Sequence, residues 1–364
     1  MKISNSSQPN YEYTTWLDAP TRQQQPLDPW SPFHDQAHFE DEEAGELFDE
    51  PLLQQLFQSW APPAPQPAYQ RAVQNWPQHN QPIQRRSQPI QNRPAPAQPA
   101  QTAQTTPARS APSSTTLNLP PRPEGSLTGK EFLESTRGLD RTQREARILQ
   151  EIQRGNVPDF ARQMREIQVN SNGHSGTLRV MPDYLAIGSN DDFVRIPMDA
   201  KTAQKIADQT GTSLPTTKIV DEVYKQADTK LTPQPLPAGA QMMSNDYYQR
   251  HNNLVEDQMS QRGAQHGQLT AGHQKDLVIS NRLTQHPDRV AIYGWHQPNG
   301  KPIQGLSTVH ESTYADYSHG VRLVGGTMLV DGQERPVSEV LQDPALAGLI
   351  SSEGAIRDPR VPRT

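Results

Sequence analysis

The chain has 364 residues, a formal net charge of −6, 35 prolines and no cysteine. The missing cysteines exclude disulfides, thiolate metal sites and a thiol nucleophile. The acidic balance argues against nucleic acid as a partner, which would call for a basic surface, and no apolar run approaches the roughly 18 residues that span a membrane.

Residues 1–125 carry 21 of the 35 prolines and most of the glutamine tracts. Few apolar residues there recur at helix or strand spacing, so the segment cannot bury enough surface to offset the entropy of ordering and is expected to be disordered. The short basic stretch Arg85, Arg86 and Arg93 reads as a solvated linker. One island stands out, EDEEAGELFDEPLLQQLFQSW at 40–60. Its Leu52, Leu53, Leu56, Phe57 and Trp60 fall at helical spacing, and Pro51 suits a first turn. This predicts a short amphipathic helix at 51–60, one that either orders on a secretion chaperone or a host protein or docks weakly and transiently on its own domain. The N-terminus, MKISNSSQPNYEYTTWLDAP, has no apolar h-region and is not a Sec signal.

From about Ser126 the texture is that of a folded domain. RTQREARILQEIQRGN predicts a helix with Thr142 and Glu145 at capping-box spacing, ended by Gly155. PDFARQM is a second, short helix. EIQVNSNGHSGTLRVMPDYLAIGSNDDFVRIPM reads as successive strands joined by Asn-Gly and Ser-Asn-Asp turns. Helices follow at DAKTAQKIADQTG, at PTTKIVDEVYKQAD and, with Ser244 as N-cap, at SNDYYQRHNNLVEDQMSQRG. Then come strands KDLVIS, RVAIYGW and HGVRLV, a TMLV–DGQE–RPV hairpin, and one or two closing helices in PVSEVLQDPALAGLI. The Gly-Gly of LVGGTML reads as a turn. Strands cluster and do not alternate regularly with helices. The expectation is a single α+β domain over 126–364, with several helices and a mainly antiparallel sheet, behind the disordered arm.

The chemistry concentrates in histidine. Seven of the 11 histidines lie between His251 and His319, and imidazole both titrates near neutral pH and ligates metals. His273, His296, His310 and His319 all sit at strand–loop junctions, where a rigid sheet could hold them against one another. Together with Asp276 and Asp316 they form the candidate catalytic set. Two mechanisms could use them: a divalent metal such as zinc or iron(II) held by two or three imidazoles and an aspartate, or a metal-free general base oriented by an aspartate. Ser307 and Ser318 are the candidate hydroxyls, though Ser318 should face away from its neighbour His319. His266 and His286 read as loop residues and His251 as a half-buried helix residue. Asp183, Asp191 and Asp192 read as parts of polar turns, and Tyr314 and Tyr317 as hairpin packing or as stacking platforms for a sugar or base.

Two resemblances add to this reading. The blocks PDYLAIGSNDDFVRIPM, SLPTTKIVD, LTAGHQKDLVISNRL, VAIYGWHQPNGKPIQGLSTVH and YADYSHGVRLV resemble those of a group of uncharacterised bacterial proteins over about residues 130–357. The pattern departs at Gly305 and Glu311, near the His310 loop, and implies no activity. The N-terminal arm, free of acids through its first eleven residues and rich in Ser, Asn and Gln, is similar to the export regions of type III effectors from plant-associated bacteria. That similarity implies a secreted virulence effector, translocated into host cells, and the histidine set read above gives its folded domain the expectation of a histidine-based hydrolase. The alternatives are a non-enzymatic module binding a host protein or a glycan, and a secretion-accessory protein working through the arm.

Overall fold

Residues 115–362 are the part of the chain that the computed structural model describes. The helix expected at 51–60 and residues 1–114 of the expected disordered arm lie outside that range, while residues 115–125 lie inside it and are ordered. Chain packing begins upstream of 126: Leu117 is buried, and Thr116 bridges to Gln163.

Helices α1 (Gly129–Ser135) and α2 (Arg141–Gln153) each open on a capping box, Thr128 with Glu131 and Asp140 with Gln143. The α2 cap is therefore Asp140, two residues before the expected Thr142. Glu145 lies on the same buried face as Ile148 and Ile152. The short α3 (Asp159–Arg162) leads into a hairpin of β1 (Arg165–Ser171) and β2 (His174–Val180). Its turn residues, Asn172 and Gly173, both have positive φ, as a two-residue hairpin turn demands. Ile167 and Val169 of β1 and Leu178 and Val180 of β2 point inward while their neighbours face out, the alternation of a sheet covered on one side.

Next come the paired β3 (Ala186–Gly188) and β4 (Phe193–Arg195), then α4 (Ala200–Thr210), capped by Asp199 and stopped by left-handed Gly211. After β5 (Thr212–Ser213), α5 (Thr217–Gln226) starts on the Thr216 cap. β6 (Thr229–Lys230) precedes α6 (Asn245–Gln261), which Ser244 caps as expected. Then follow β7 (Thr270–Ala271), β8 (Lys275–Leu277), the single turn α7 (Arg282–Gln285), β9 (Ile292–His296) and β10 (Pro302–Ser307). The chain closes with β11 (His319–Gly320), the hairpin of β12 (Val324–Val330) and β13 (Gln333–Pro336), and α8 (Val337–Gln342).

Two sheets carry the domain. One has the order β1-β2-β12-β13, with β5 added to β12, and is antiparallel throughout. The other is β10-β9-β8-β11, antiparallel except for the β8–β11 pair. The fold is α+β with mainly antiparallel sheet. The Gly-Gly pair is not a turn, because Gly325 and Gly326 lie inside β12. A Cβ on Gly326 would stand 2.1 Å from the Gly211 carbonyl oxygen, so only glycine lets the end of α4 approach this strand. Among the described residues no helix is long and apolar enough to cross a membrane.

Candidate functional site

The second sheet sorts the histidines. Strands β8 and β11 run parallel with His319 opposite Lys275 and Gly320 opposite Asp276. Residues opposite one another in a ladder share a face, so His319 and Lys275 project to one side and Asp276 to the other. Gly320 serves that second side. A Cβ there would meet the Tyr184 ring at 2.5 Å, and its absence lets the Tyr184 hydroxyl donate to Asp276 Oδ2 at 2.8 Å.

Strand β9 adds an irregularity with consequences on both faces. Gly294 has φ +110° and Trp295 φ +57°. For a bulky residue the left-handed region is strained, and such strain gathers at functional sites. In a regular strand Tyr293 and His296 would face opposite sides. Here both reach one carboxylate: the Tyr293 hydroxyl donates to Asp221 Oδ1, and His296 Nε2 lies 3.0 Å from the same oxygen. Trp295 is turned the other way, its ring 5.3 Å from the Lys275 ammonium.

On the Lys275 face lies the densest group. Asp316 is fixed by three hydrogen bonds: Ser318 N and Oγ donate to its Oδ1 at 2.8 and 2.6 Å, and the Tyr314 hydroxyl to its Oδ2 at 3.0 Å. His319 Nε2 is 3.9 Å from that Oδ2, too far for a hydrogen bond. The His319 ring is wholly buried, and neither of its nitrogens has a partner among the described residues. Trp295 Nε1 is likewise buried and unpartnered. Tyr314 presents its edge to His319 at 5.5 Å between centroids, and His310 stacks on Tyr314 at 4.1 Å. His310, Tyr314 and Lys275 are the half-exposed members of the group.

Electrostatics follow from this placement. Burial, with Lys275 and His310 nearby, brings the His319 imidazole down to about 4 despite the adjacent carboxylate. His310 is lowered for the same reasons, burial first and Lys275 next. Burial disfavours the Asp316 carboxylate, but His319, Lys275 and the Ser318 hydrogen bonds outweigh it and hold the group below the usual carboxylate range. At neutral pH the site therefore holds an ionised Asp316 beside an uncharged His319.

The four junction histidines do not converge as one set. His310, Asp316 and His319 come together. His273 sits in a separate buried network, 3.0 Å from Asp183 Oδ1, while Asp183 Oδ2 takes both Nε and Nη2 of Arg195. Arg195 Nη1 continues to Glu256, which His266 meets at the surface. Asp276 of the candidate set instead binds Tyr184 and lies 3.9 Å from Arg322 Nε. Burial raises its carboxyl to about 6. His296 belongs with Asp221. Ser307 pairs with Ile292, at the opposite end of the hairpin from His296, and Ser318 is engaged by Asp316. No group of three or more His, Asp or Glu residues among the described residues is arranged to hold a metal ion, so the zinc or iron arrangement does not fit these side chains.

Sequence reasoning missed Lys275, Trp295, Asp183, Arg195 and Asp221. Asp183 was assigned to a turn and is buried. A charged residue inside an apolar stretch, as in FVRIPM, was the available signal for Arg195. The positive φ of Trp295 has no signature in sequence. Comparison of the chain with known families, curated proteins and solved structures finds no match.

Proposed function

We propose that the domain is a histidine-based hydrolase acting at the Lys275–Trp295–His310–Tyr314–Asp316–His319 group, and that the whole chain is a secreted effector of the type III kind. The observation that carries the catalytic part is His319, a buried imidazole with both nitrogens unpaired beside a carboxylate fixed by three hydrogen bonds. Leaving such a group unsatisfied costs stability, which is the expected mark of a residue kept for its chemistry.

In this reading His319 is the general base. It takes a proton from water, the water oxygen bonds to the carbonyl or phosphoryl centre of an ester, and the bond to the leaving alkoxide breaks. The proton held by His319 then passes to that alkoxide. Asp316 orients and stabilises the transient imidazolium, and its bonds to Ser318 and Tyr314 keep it from collapsing onto the ring. The Trp295 indole N–H, without a partner among the described residues, and the Lys275 ammonium beside its ring stabilise the developing oxyanion. His310 and Tyr314 form the rim through which substrate enters.

The test is hydrolysis of p-nitrophenyl acetate, p-nitrophenyl phosphate and bis-p-nitrophenyl phosphate by the full chain. One of the three should be cleaved, and His319→Gln should slow that cleavage by about 100-fold or more without lowering the melting temperature. A wild-type chain inert on all three, or a variant as fast as wild type, sinks the reading. The effector part rests on the composition of the arm. Residues 1–125 fused to a reporter should pass from a type III-competent bacterium into plant cells, and retention in the bacterium would refute it.

A further inference from the structure

The opposite face of β9 carries a second arrangement that the hydrolase reading does not use. A cavity of about 450 Å³ opens between α5 and the β9–β10 hairpin, within the ~300–1,000 Å³ range of small-molecule sites. Asp221, Tyr224 and Lys225 reach it from α5, where spacings of three and four residues bring them to one helix face. Tyr293 and His296 reach it from β9 because of the left-handed Gly294–Trp295 pair. The hairpin is held against the helix by the Tyr224 hydroxyl, which donates to the Gln297 carbonyl at 2.7 Å, and by the stacking of His296 on Tyr224.

We infer that this cavity is a binding site for a neutral saccharide of one or two residues. Its central group is the Asp221 carboxylate. Oδ1 is occupied by Tyr293 and His296, which leaves Oδ2 without a partner among the described residues and available to accept from a ligand. Donors stand at the rim: Lys230, whose ammonium lies 5.2 Å over the Tyr224 ring, and Asn299. Lys225, also at the rim, is already paired with Glu222. Tyr293 and the prolines Pro298 and Pro302 supply apolar wall between these polar groups.

Each simpler ligand class conflicts with part of this lining. An apolar ligand would desolvate Asp221 without a partner. A phosphate or carboxylate at the centre would be repelled by Asp221, and a cation would be repelled by Lys230 and Lys225. A polyhydroxylated ligand satisfies all of them, because each hydroxyl both donates and accepts and its C–H faces pack on aromatic and proline surface.

The experiment is ligand-observed NMR of the full chain titrated with methyl glycosides of neutral hexoses and pentoses and with neutral disaccharides. At least one should bind with a Kd of about 1 mM, equivalent to roughly 4 kcal/mol. Asp221→Asn should weaken that binding tenfold or more. Lys230→Met, a substitution of an exposed rim residue that loses its contact over the Tyr224 ring, should weaken it several-fold with an almost unchanged melting temperature. His319→Gln should bind as wild type does, which separates this site from the hydrolase reading. The inference is overturned if no saccharide binds at about 50 mM, or if binding survives both Asp221→Asn and Lys230→Met. Tighter binding of inorganic phosphate or methylammonium than of any sugar, weakened by Asp221→Asn, would overturn it too.

Discussion

His273 and His319 stand at similar junctions between loop and strand, both wholly buried, both within reach of an aspartate, yet their surroundings differ in kind. Around His273 the charges are tied into a network: Asp183 is gripped at both oxygens, one of them by His273 Nε2, and Arg195 also reaches Asn252 and Glu256. Around His319 the carboxylate is equally well held, but by Ser318 and Tyr314, and the imidazole is left over. His273 keeps one ring nitrogen, Nδ1, without a partner among the described residues, whereas His319 keeps both. The two histidines therefore differ in whether their aspartate reaches the ring at all, and that is set by what the aspartate already bonds to.

The sharpest way to break this contrast is Asp183→Ala. It removes the carboxylate that Arg195 Nε and Nη2 both bond, leaving that fully buried cation only Glu256 and Asn252, and should cost about 3 kcal/mol in denaturant unfolding; a cost below about 1 kcal/mol would mean that Asp183 is not needed to hold Arg195. At the other site the expectation concerns acid. The pKa of His319 falls from 6.5 unfolded to about 4 folded, so the unfolded chain binds more protons between those values. The stabilisation relative to acid is fully present above pH 6.5 and is lost as pH falls through 4, a difference of about 3 kcal/mol. Asp276, raised to about 6, opposes it over part of the same window by losing stability as pH rises. Subtracting the unfolding curve of His319→Gln from that of wild type isolates the histidine; a difference flat from pH 4 to 6.5 would show that the imidazole is solvated. The smallest effect belongs to Tyr314→Phe. Losing one half-exposed hydrogen bond to Asp316 should cost about 1 kcal/mol, measured by thermal unfolding, and no cost would mean that water replaces the hydroxyl.

The sequence carried the architecture because local chemistry dictated it. The Asn172–Gly173 and Asp331–Gly332 turns, the Ser244 cap and the Gly211 stop each act within a few residues, and the apolar periods of β1, β2 and α6 set their buried faces. Part of the His319 group was legible for the same reason: His310, Tyr314, Asp316 and His319 are close neighbours along the chain. The rest required tertiary knowledge. Lys275 joins only because β8 pairs with β11, and Asp221 meets His296 only across 75 residues. Asp140 in place of Thr142 as the α2 cap shows a smaller limit: either residue could begin that helix, and Glu145, which would complete a box with Thr142, is instead buried.

The left-handed pair Gly294–Trp295 ties the two faces of β9 in one further respect. A Cβ at 294 would approach Val220 at 3.2 Å and strain a backbone with φ +110°. Any residue there that favoured regular strand geometry would withdraw His296 from Asp221 and, in the same motion, swing the indole away from Lys275. The cavity on one face and the Lys275–His319 group on the other are therefore both shaped by the backbone at position 294, and a substitution there acts on the two together.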